Sequence, residues 1–198
     1  MAASMEGPSN ALRMVGTFVL ILASASVACS TNSEGGSVNG SCDSQVYDEA
    51  AISKLAVLYA YGIDSLAPGN FDAGVAILQQ VFTPNASIGT CFAPGQCLNK
   101  TGPVEWAQTS SALFAAGNYS ATHHMVGNQR IELDDSKQAG TMVSYLTASQ
   151  FVRNSTNIDL YHGVYYDEVV RDSGGEWRIS TRDLRTTSFL RIIGHRVS

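Results

Sequence analysis

The strongest constraint on the fold is a change in residue usage near residue 122. Downstream of it, four long segments are rich in Val, Tyr, Thr and Ile, which favour strands: 122–133, 139–153, 159–171 and 176–188. The sequences "LDDSKQ" and "RDSGGE" separate two pairs of these segments with residues typical of hairpin turns. We therefore expect a meander of long antiparallel strands in the second half of the chain.

Upstream of this point the apolar residues have helical spacing. Ile52, Leu55 and Tyr59 follow one another at intervals of three and four residues, which predicts a first helix. Segments 71–81 and 102–117 predict a second and a third helix, the third beginning with a proline and ending at a glycine. Helices followed by strands indicate an α+β domain, in which three N-terminal helices pack on one face of a curved antiparallel sheet and leave a cone with a mouth.

The N-terminal segment differs from the rest of the chain. Residues 14–28, "MVGTFVLILASASVA", are apolar, follow Arg13 and end in small residues. This run is short for a membrane span and is typical of an export signal. Cys29 follows at once, so both a lipid anchor at this cysteine and soluble secretion stay open, and any membrane attachment is expected only through Cys29.

The predicted organisation has four parts. In order, we expect an export signal peptide, a flexible polar tether, one domain and a C-terminal tail: 1–28, 29–44, 45–190 and 191–198. The cysteines in "CFAPGQC", Cys91 and Cys97, enclose a Pro-Gly turn and predict a small disulfide loop in an exported protein. Five glycosylation sequons would matter only in a eukaryotic secreted protein: Asn39, Asn85, Asn99, Asn118 and Asn154.

Composition and missing motifs narrow the function. The net charge is −5, which gives no basic footprint for nucleic acid. The chain has no phosphate-binding glycine loop, no G-x-S-x-G elbow and no H-E-x-x-H motif. We therefore expect no nucleotide, flavin or metal cofactor, and we expect the partner to be a small, largely apolar molecule.

The order of four short sequences carries a resemblance to a known family. They are "YAYGIDS", "FTPNASI", "THHMVGNQRIEL" and "GEWRISTRDLR". In this order they resemble the SnoaL-like, or polyketide cyclase-like, branch of the NTF2-like superfamily, over about residues 47–189. Within that branch the chain looks most like relatives of scytalone dehydratase and hexachlorocyclohexane dehydrochlorinase. The resemblance implies the NTF2-like cone, but that fold hosts many reactions and does not specify one.

The same resemblance implies a catalytic pair. Its dehydratase and dehydrochlorinase relatives use an Asp at the end of the first helix and a His at the start of the sheet, which correspond to Asp64 and His124. Imidazole titrates near neutral pH and can accept a proton from carbon or oxygen. A carboxylate on its other ring nitrogen fixes the tautomer and stabilises the imidazolium. We expect His124 to be the base and Asp64 its orienting partner.

Strand alternation gives a different answer for the histidine. In a regular strand, His123 shares a face with Ile131 and Leu133, so alternation favours His123 as the inward residue. A bulge at Gly127 would shift the alternation and place His124 on that apolar face instead. We predict the bulge, because the resemblance selects His124.

Two further side chains are candidates for stabilising negative charge. Tyr61 lies less than one helical turn before Asp64 and could donate a hydrogen bond to a substrate oxygen. Arg182 matches an arginine that the dehydrochlorinase relative uses at its leaving group. The alternative for Arg182 is an ion pair with Asp167 or Asp183.

Three side chains are candidates for contacting the substrate. Tyr59 and Trp106 are most simply core residues, and His162 lies on a strand expected to line the cone. The second catalytic histidine of the dehydratase has no counterpart, because "LTASQF" offers Ser149 and Gln150 in that region. His162 is therefore a candidate substitute.

These observations favour an exported, cofactor-independent lyase or isomerase that removes a proton and then eliminates a group or shifts a double bond. The alternative is a non-catalytic domain that binds a small molecule or pairs with another copy. The Thr, Tyr and Ser residues of 141–149 are compatible with a homodimer through the sheet but do not require one. Epoxide hydrolysis on this fold uses an Asp–Arg–Asp arrangement that has no matching positions here.

Overall fold

A computed structural model describes residues 44–67, 69–93 and 95–194 of the 198-residue chain. The predicted signal peptide, nearly all of the tether and the last four residues lie outside these ranges. The helices are α1 (Ser44–Leu66), α2 (Phe71–Val81) and α3 (Gly102–Ala116). The strands are β1 (Phe82–Ala93), β2 (Gln96–Thr101), β3 (Tyr119–Leu133), β4 (Ala139–Val152), β5 (Ile158–Arg171) and β6 (Trp177–Ile192).

The three predicted helices are confirmed, and α1 shows why they form. Its buried apolar side chains are Ile52, Leu55, Ala56, Tyr59, Ile63 and Leu66. Their spacing places them on one side of the helix, so that side faces the core. Helix α3 has Pro103 in its first turn and ends before Gly117, as the sequence predicts.

The six strands form one sheet in the order β2-β1-β6-β5-β4-β3. Neighbouring strands are antiparallel except β1 and β6, which pair in parallel. The predicted antiparallel meander is therefore confirmed for β3 to β6. The hairpin of the twelve-residue β1 with β2 lies outside the four segments that the sequence predicts as strands.

The helices cover one face of the curved sheet, which gives the predicted NTF2-like α+β cone. Side chains from both layers meet in the core, where Leu78 of α2, Met142 of β4 and Ile179 of β6 have no exposed surface. Burying a side chain of this kind stabilises the fold by about 1.5–3 kcal/mol. Where the layers diverge, a cavity remains.

Strand β3 contains the predicted bulge. Gly127 pairs with Tyr145 and Arg130 with Val143, so β3 has one residue more than β4 over this stretch. Asn128 takes the extra turn with a φ of 50°, in the left-handed region that asparagine tolerates. Beyond the bulge the side chains alternate again, but on exchanged faces of the sheet. His124, which precedes the bulge, therefore faces inward, and His123 is exposed.

The predicted disulfide is present between Cys91 and Cys97, which are paired residues of the β1–β2 hairpin. It fixes the hairpin at the sheet edge. The carbonyl oxygen of Cys91 also accepts a 2.8 Å hydrogen bond from the Thr186 hydroxyl, which ties the hairpin to β6. Among the helices of the described residues, none is both long and apolar enough to cross a membrane.

Candidate active site

The main cavity lies between the sheet and helices α1 and α3, and its volume is about 440 Å³. This volume is within the range of small-molecule sites. Most of its lining is aliphatic or aromatic. The polar exceptions, apart from tyrosine hydroxyls and the tryptophan N–H, are Thr90, Ser110, His124, Gln150 and Thr186. Such a lining favours an apolar molecule that makes a few directed hydrogen bonds.

Asp64 and His124 meet at the wall of this cavity, although sixty residues separate them in the chain. Asp64 lies in the last turn of α1, and His124 is on the inner face of β3. Asp64 Oδ1 is 2.6 Å from His124 Nδ1, and Asp64 Oδ2 accepts a 3.0 Å hydrogen bond from the His124 backbone N–H. The Thr122 hydroxyl donates to Asp64 Oδ1 at 2.8 Å. Three donors therefore hold one carboxylate in a fixed orientation.

These contacts set the charge of Asp64. Burial by itself raises the pKa of the Asp64 carboxyl. The hydrogen bond and charge of His124, with the hydrogen bonds from its backbone and from Thr122, outweigh burial and lower that pKa below its usual value. The carboxylate is therefore ionised at neutral pH.

The ionised carboxylate determines which ring nitrogen of His124 is free. A carboxylate can only accept hydrogen bonds, so Nδ1 of His124 carries the proton of the 2.6 Å contact. In the neutral imidazole, Nε2 then has a free lone pair. His124 lines the cavity, so Nε2 is the nitrogen available to accept a proton from a bound molecule.

Tyr59 and Trp106 form part of the cavity wall. Tyr59 Oη accepts a 3.2 Å hydrogen bond from Trp106 Nε1. The Tyr59 ring also stands edge-on to the His124 ring, with centroids 6.5 Å apart. Burial raises the pKa of the Tyr59 phenol and, further, that of its neighbour Tyr165, so both remain neutral.

Tyr61 is not at the cavity, which corrects the sequence prediction. Its side chain is 67% exposed on the solvent side of α1. Two residues correspond to about 200° of rotation along an α-helix, so Tyr61 points away from the side that carries Tyr59. The helical position thus removes Tyr61 from contact with a molecule in the cavity.

His162 is also outside the cavity. In β5, Tyr161 and Gly163 point inward, so His162 lies on the outer face of the sheet by strand alternation. Its Nδ1 is 2.9 Å from the Ser188 hydroxyl oxygen. His162 therefore does not replace the missing second histidine.

Arg182 has the ion pair that the sequence left as an alternative. Its Nε and Nη2 each donate a 2.7 Å hydrogen bond to Asp167, and the two side chains are 1% and 0% exposed. Its guanidinium carbon lies 4.1 Å from the ring centroids of both Tyr59 and Tyr165. Asp183 pairs with Arg185 instead. Arg182 is buried behind the cavity wall and does not line the cavity, so this placement does not support contact with a substrate anion or leaving group.

Several cavity residues could not be predicted from the sequence. Thr90, Tyr161 and Thr186 line the cavity from β1, β5 and β6, and nothing in their local sequence distinguishes them from other strand residues. Gln150 also lines the cavity, from β4. The sequence had placed this residue in the region where the dehydratase relative has its second catalytic histidine. In the ranges that the structure describes, no group of three His, Cys, Asp or Glu side chains could hold a metal ion.

Comparisons with known proteins identify the fold and the family. The sequence profile described as "SnoaL-like domain" matches residues 44–183. No curated protein sequence is significantly similar to the chain. The solved structures described next are 14–21% identical to the chain, so they establish the fold alone.

Three of these structures illustrate the likeness. A scytalone dehydratase-like protein from Novosphingobium aromaticivorans is 21% identical, with 77% of this chain and 91% of that chain covered and a TM-score of 0.57. A hexachlorocyclohexane dehydrochlorinase from Novosphingobium barchaimii is 18% identical, covers 77% of this chain and 95% of that chain, and has a TM-score of 0.60. An NTF2-like superfamily protein from Salmonella enterica is 14% identical, with coverages of 72% and 93% and a TM-score of 0.57.

Proposed function

Since the chain belongs to the SnoaL-like domain family, we propose that it is an exported, cofactor-independent lyase or isomerase of small, largely apolar molecules. The observation that carries this proposal is the 2.6 Å contact between Asp64 Oδ1 and His124 Nδ1 at the wall of an apolar cavity. Two structural relatives support it, because dehydration and dehydrochlorination, the reactions in their names, are both eliminations.

The proposed step begins at Nε2 of His124. The Nε2 lone pair takes a proton from a carbon of the bound molecule, and the C–H electron pair forms a new double bond. In an elimination, the leaving group departs with the electron pair of its own bond. In an isomerisation, a proton returns to a different carbon. The Asp64 carboxylate stabilises the imidazolium during this step, and the low polarity of the cavity strengthens that attraction.

Export is supported by two observations of different kinds. The apolar run at residues 14–28 has the composition of a signal peptide. The disulfide between Cys91 and Cys97 is of a type that persists outside the reducing cytosol. Comparing the N-terminal residue and mass of the protein from cells with those of the translated chain tests this part: cleavage near Cys29 supports export, and an intact N-terminus contradicts it.

The catalytic part is tested with three variants of the full chain. His124→Gln removes the base, Asp64→Asn removes the orienting charge, and His123→Gln is the matched control because His123 is the exposed neighbour. A panel of small hydroxylated, halogenated and unsaturated ring compounds is incubated in D₂O and followed by NMR for elimination, double-bond shift or deuterium uptake.

A positioned general base contributes about 10²–10⁴-fold to a rate, so His124→Gln should lose at least a hundredfold. Asp64→Asn should lose more than tenfold, and His123→Gln should keep the wild-type rate. Turnover that survives His124→Gln would overturn the proposal. Absence of turnover with the whole panel, together with retained binding, would favour the second candidate.

The second candidate is a non-catalytic binding domain for the same class of molecule. One observation favours it: in the part of the chain that the structure describes, His124 is the only ionisable group besides tyrosines among the cavity-lining residues. No carboxyl, lysine or arginine there could protonate a leaving group. A binding domain predicts that His124→Gln changes the affinity of a bound molecule little and alters no chemistry.

We also propose a homodimer through the outer face of the sheet. Large side chains are exposed there, among them Tyr145 (57%) and Tyr166 (39%) on adjacent strands. Sedimentation should then give twice the mass of one chain, and Tyr145→Lys should return it to a monomer. A wild-type protein that sediments as a monomer at high concentration would refute the pairing.

A further inference from the structure

We infer that Thr90 is a specificity-determining residue, which binds an oxygen of a neutral ligand on the wall of the cavity opposite His124. The inference rests on the proposed function only in sharing its cavity, and it specifies what the bound molecule must carry. Its basis is the state of the Thr90 hydroxyl, its place in the sheet and the charges around the cavity.

The Thr90 hydroxyl is buried without a partner. Thr90 lines the cavity and is 3% exposed, and its Oγ1 is buried and makes no hydrogen bond within the described residues. The neighbouring Thr186 is different, because its hydroxyl donates to the Cys91 carbonyl and contacts the Tyr161 hydroxyl. An unsatisfied buried hydroxyl destabilises a fold, and a ligand that hydrogen-bonds to it would remove that penalty.

The sheet places Thr90 far from the dyad along the cavity wall. Thr90 is on β1 and His124 is on β3, and strands β6, β5 and β4 lie between them. Both residues nevertheless line the same cavity, because the sheet curves. Helix α3 packs against β1 and adds Ser110, a residue that is 4% exposed, to the cavity lining. A molecule whose reacting carbon faces His124 would thus direct its far side toward Thr90.

The charges of the cavity determine what this far side can be. Among the described residues that line it, none is Lys, Arg, Asp or Glu. The one buried Lys or Arg among the described residues, Arg182, is paired with Asp167 behind the wall. A carboxylate or phosphate would lose its hydration without meeting an opposite charge, which disfavours an anionic ligand. A hydroxyl can donate and accept, so Thr90 suits a neutral alcohol, phenol or carbonyl oxygen.

The test compares two probes that differ by one oxygen, 2-naphthol and naphthalene, and measures their affinities by fluorescence titration of the full chain. Thr90→Val removes the hydroxyl and retains the shape of the side chain. Ser144→Ala is the matched control, because Ser144 Oγ is also buried without a partner within the described residues but does not line the cavity.

The wild type and Ser144→Ala should bind 2-naphthol about three- to tenfold more tightly than naphthalene, which is what one net hydrogen bond provides. Thr90→Val should lose that preference and keep its affinity for naphthalene. An unchanged preference in Thr90→Val, or an equal loss in Ser144→Ala, would overturn the inference. So would binding of neither probe by the wild type.

The two proposals fail in distinguishable ways. The catalytic proposal is refuted if His124→Gln retains turnover. That result has no bearing on the probe preference measured in Thr90→Val. Conversely, His124→Gln should preserve the preference for 2-naphthol, because Thr90 supplies the contact. If that preference disappears in His124→Gln and persists in Thr90→Val, the oxygen binds at the dyad and the inference about Thr90 is wrong.

Discussion

Replacing the buried Asp167 by asparagine should strongly destabilise the protein. The Asp167 carboxylate accepts two 2.7 Å hydrogen bonds from Arg182, and both side chains are almost completely buried. Burial alone would lower the pKa of Arg182, but the Asp167 charge and its hydrogen bonds raise that pKa above the usual value. Asp167→Asn therefore leaves a guanidinium that stays charged and has lost its counter-charge.

The size of the effect follows from this geometry. Removing one partner of a buried ion pair costs about 3–5 kcal/mol. The stacking of Arg182 between Tyr59 and Tyr165 persists in the variant, so we expect the lower half of that range. With a urea slope of about 2 kcal/mol per M, the unfolding midpoint should fall by about 1.5–2 M.

The assay is urea unfolding at pH 7, followed by tryptophan fluorescence. A second variant separates the ion pair from simple damage to the core: Arg182→Met combined with Asp167→Leu should recover most of the loss, because an apolar pair needs no counter-charge. A loss below about 1 kcal/mol in Asp167→Asn would refute the reasoning. It would mean that the charge of Arg182 is compensated without the Asp167 carboxylate.

Three other predictions concern local features. Asp159 accepts two 2.6 Å hydrogen bonds from Arg191, which, against the effect of burial, hold its pKa below the usual value. Its stabilising contribution is therefore complete above the unfolded pKa of about 3.9 and is lost as the pH falls through the lower, folded value. Asp159→Asn should therefore reduce the pH dependence of the urea midpoint below about pH 4, and an unchanged pH dependence would contradict this. Asn128 has a φ of 50°, which a β-branched residue adopts only with strain. Asn128→Val should therefore lower the free energy of unfolding by about 1–2 kcal/mol in the same assay, and Asn128→Gly should not. Equal stabilities of the two variants would exclude the bulge. Changing Cys91 and Cys97 to serine together should lower the free energy of unfolding by about 2 kcal/mol, because the disulfide closes a loop with a sequence separation of 6 in the unfolded chain. A gain in stability would contradict this prediction.

The sequence predicted the fold well because the fold depends on repeated patterns. The spacing of Ile52, Leu55 and Tyr59 repeats along a whole helix, and the four β-rich segments extend over more than sixty residues. The parallel pairing of β1 with β6 could not be predicted, because it joins segments about ninety-five residues apart and leaves no local signal.

The site was harder to predict, because each of its residues depends on one geometric detail. Strict alternation selects His123, and only the extra residue at the Gly127–Arg130 bulge brings His124 inward. Tyr61 differs from Tyr59 only by its rotation about α1, and that rotation exposes it. For Arg182, the sequence allowed an ion pair with Asp167 or Asp183, or contact with a substrate. In the structure its partner is the buried Asp167.

The most direct test of the central claim is the tautomer of His124 in solution. Long-range proton–nitrogen NMR of the neutral imidazole shows which ring nitrogen carries the proton, and His124→Gln assigns the signal. The proton should be on Nδ1, where the Asp64 carboxylate accepts it at 2.6 Å, and Nε2 should be unprotonated. Asp64→Ala should return the proton mainly to Nε2. A wild-type His124 that is protonated at Nε2 when neutral would contradict the account, because its cavity-facing nitrogen could not accept a proton.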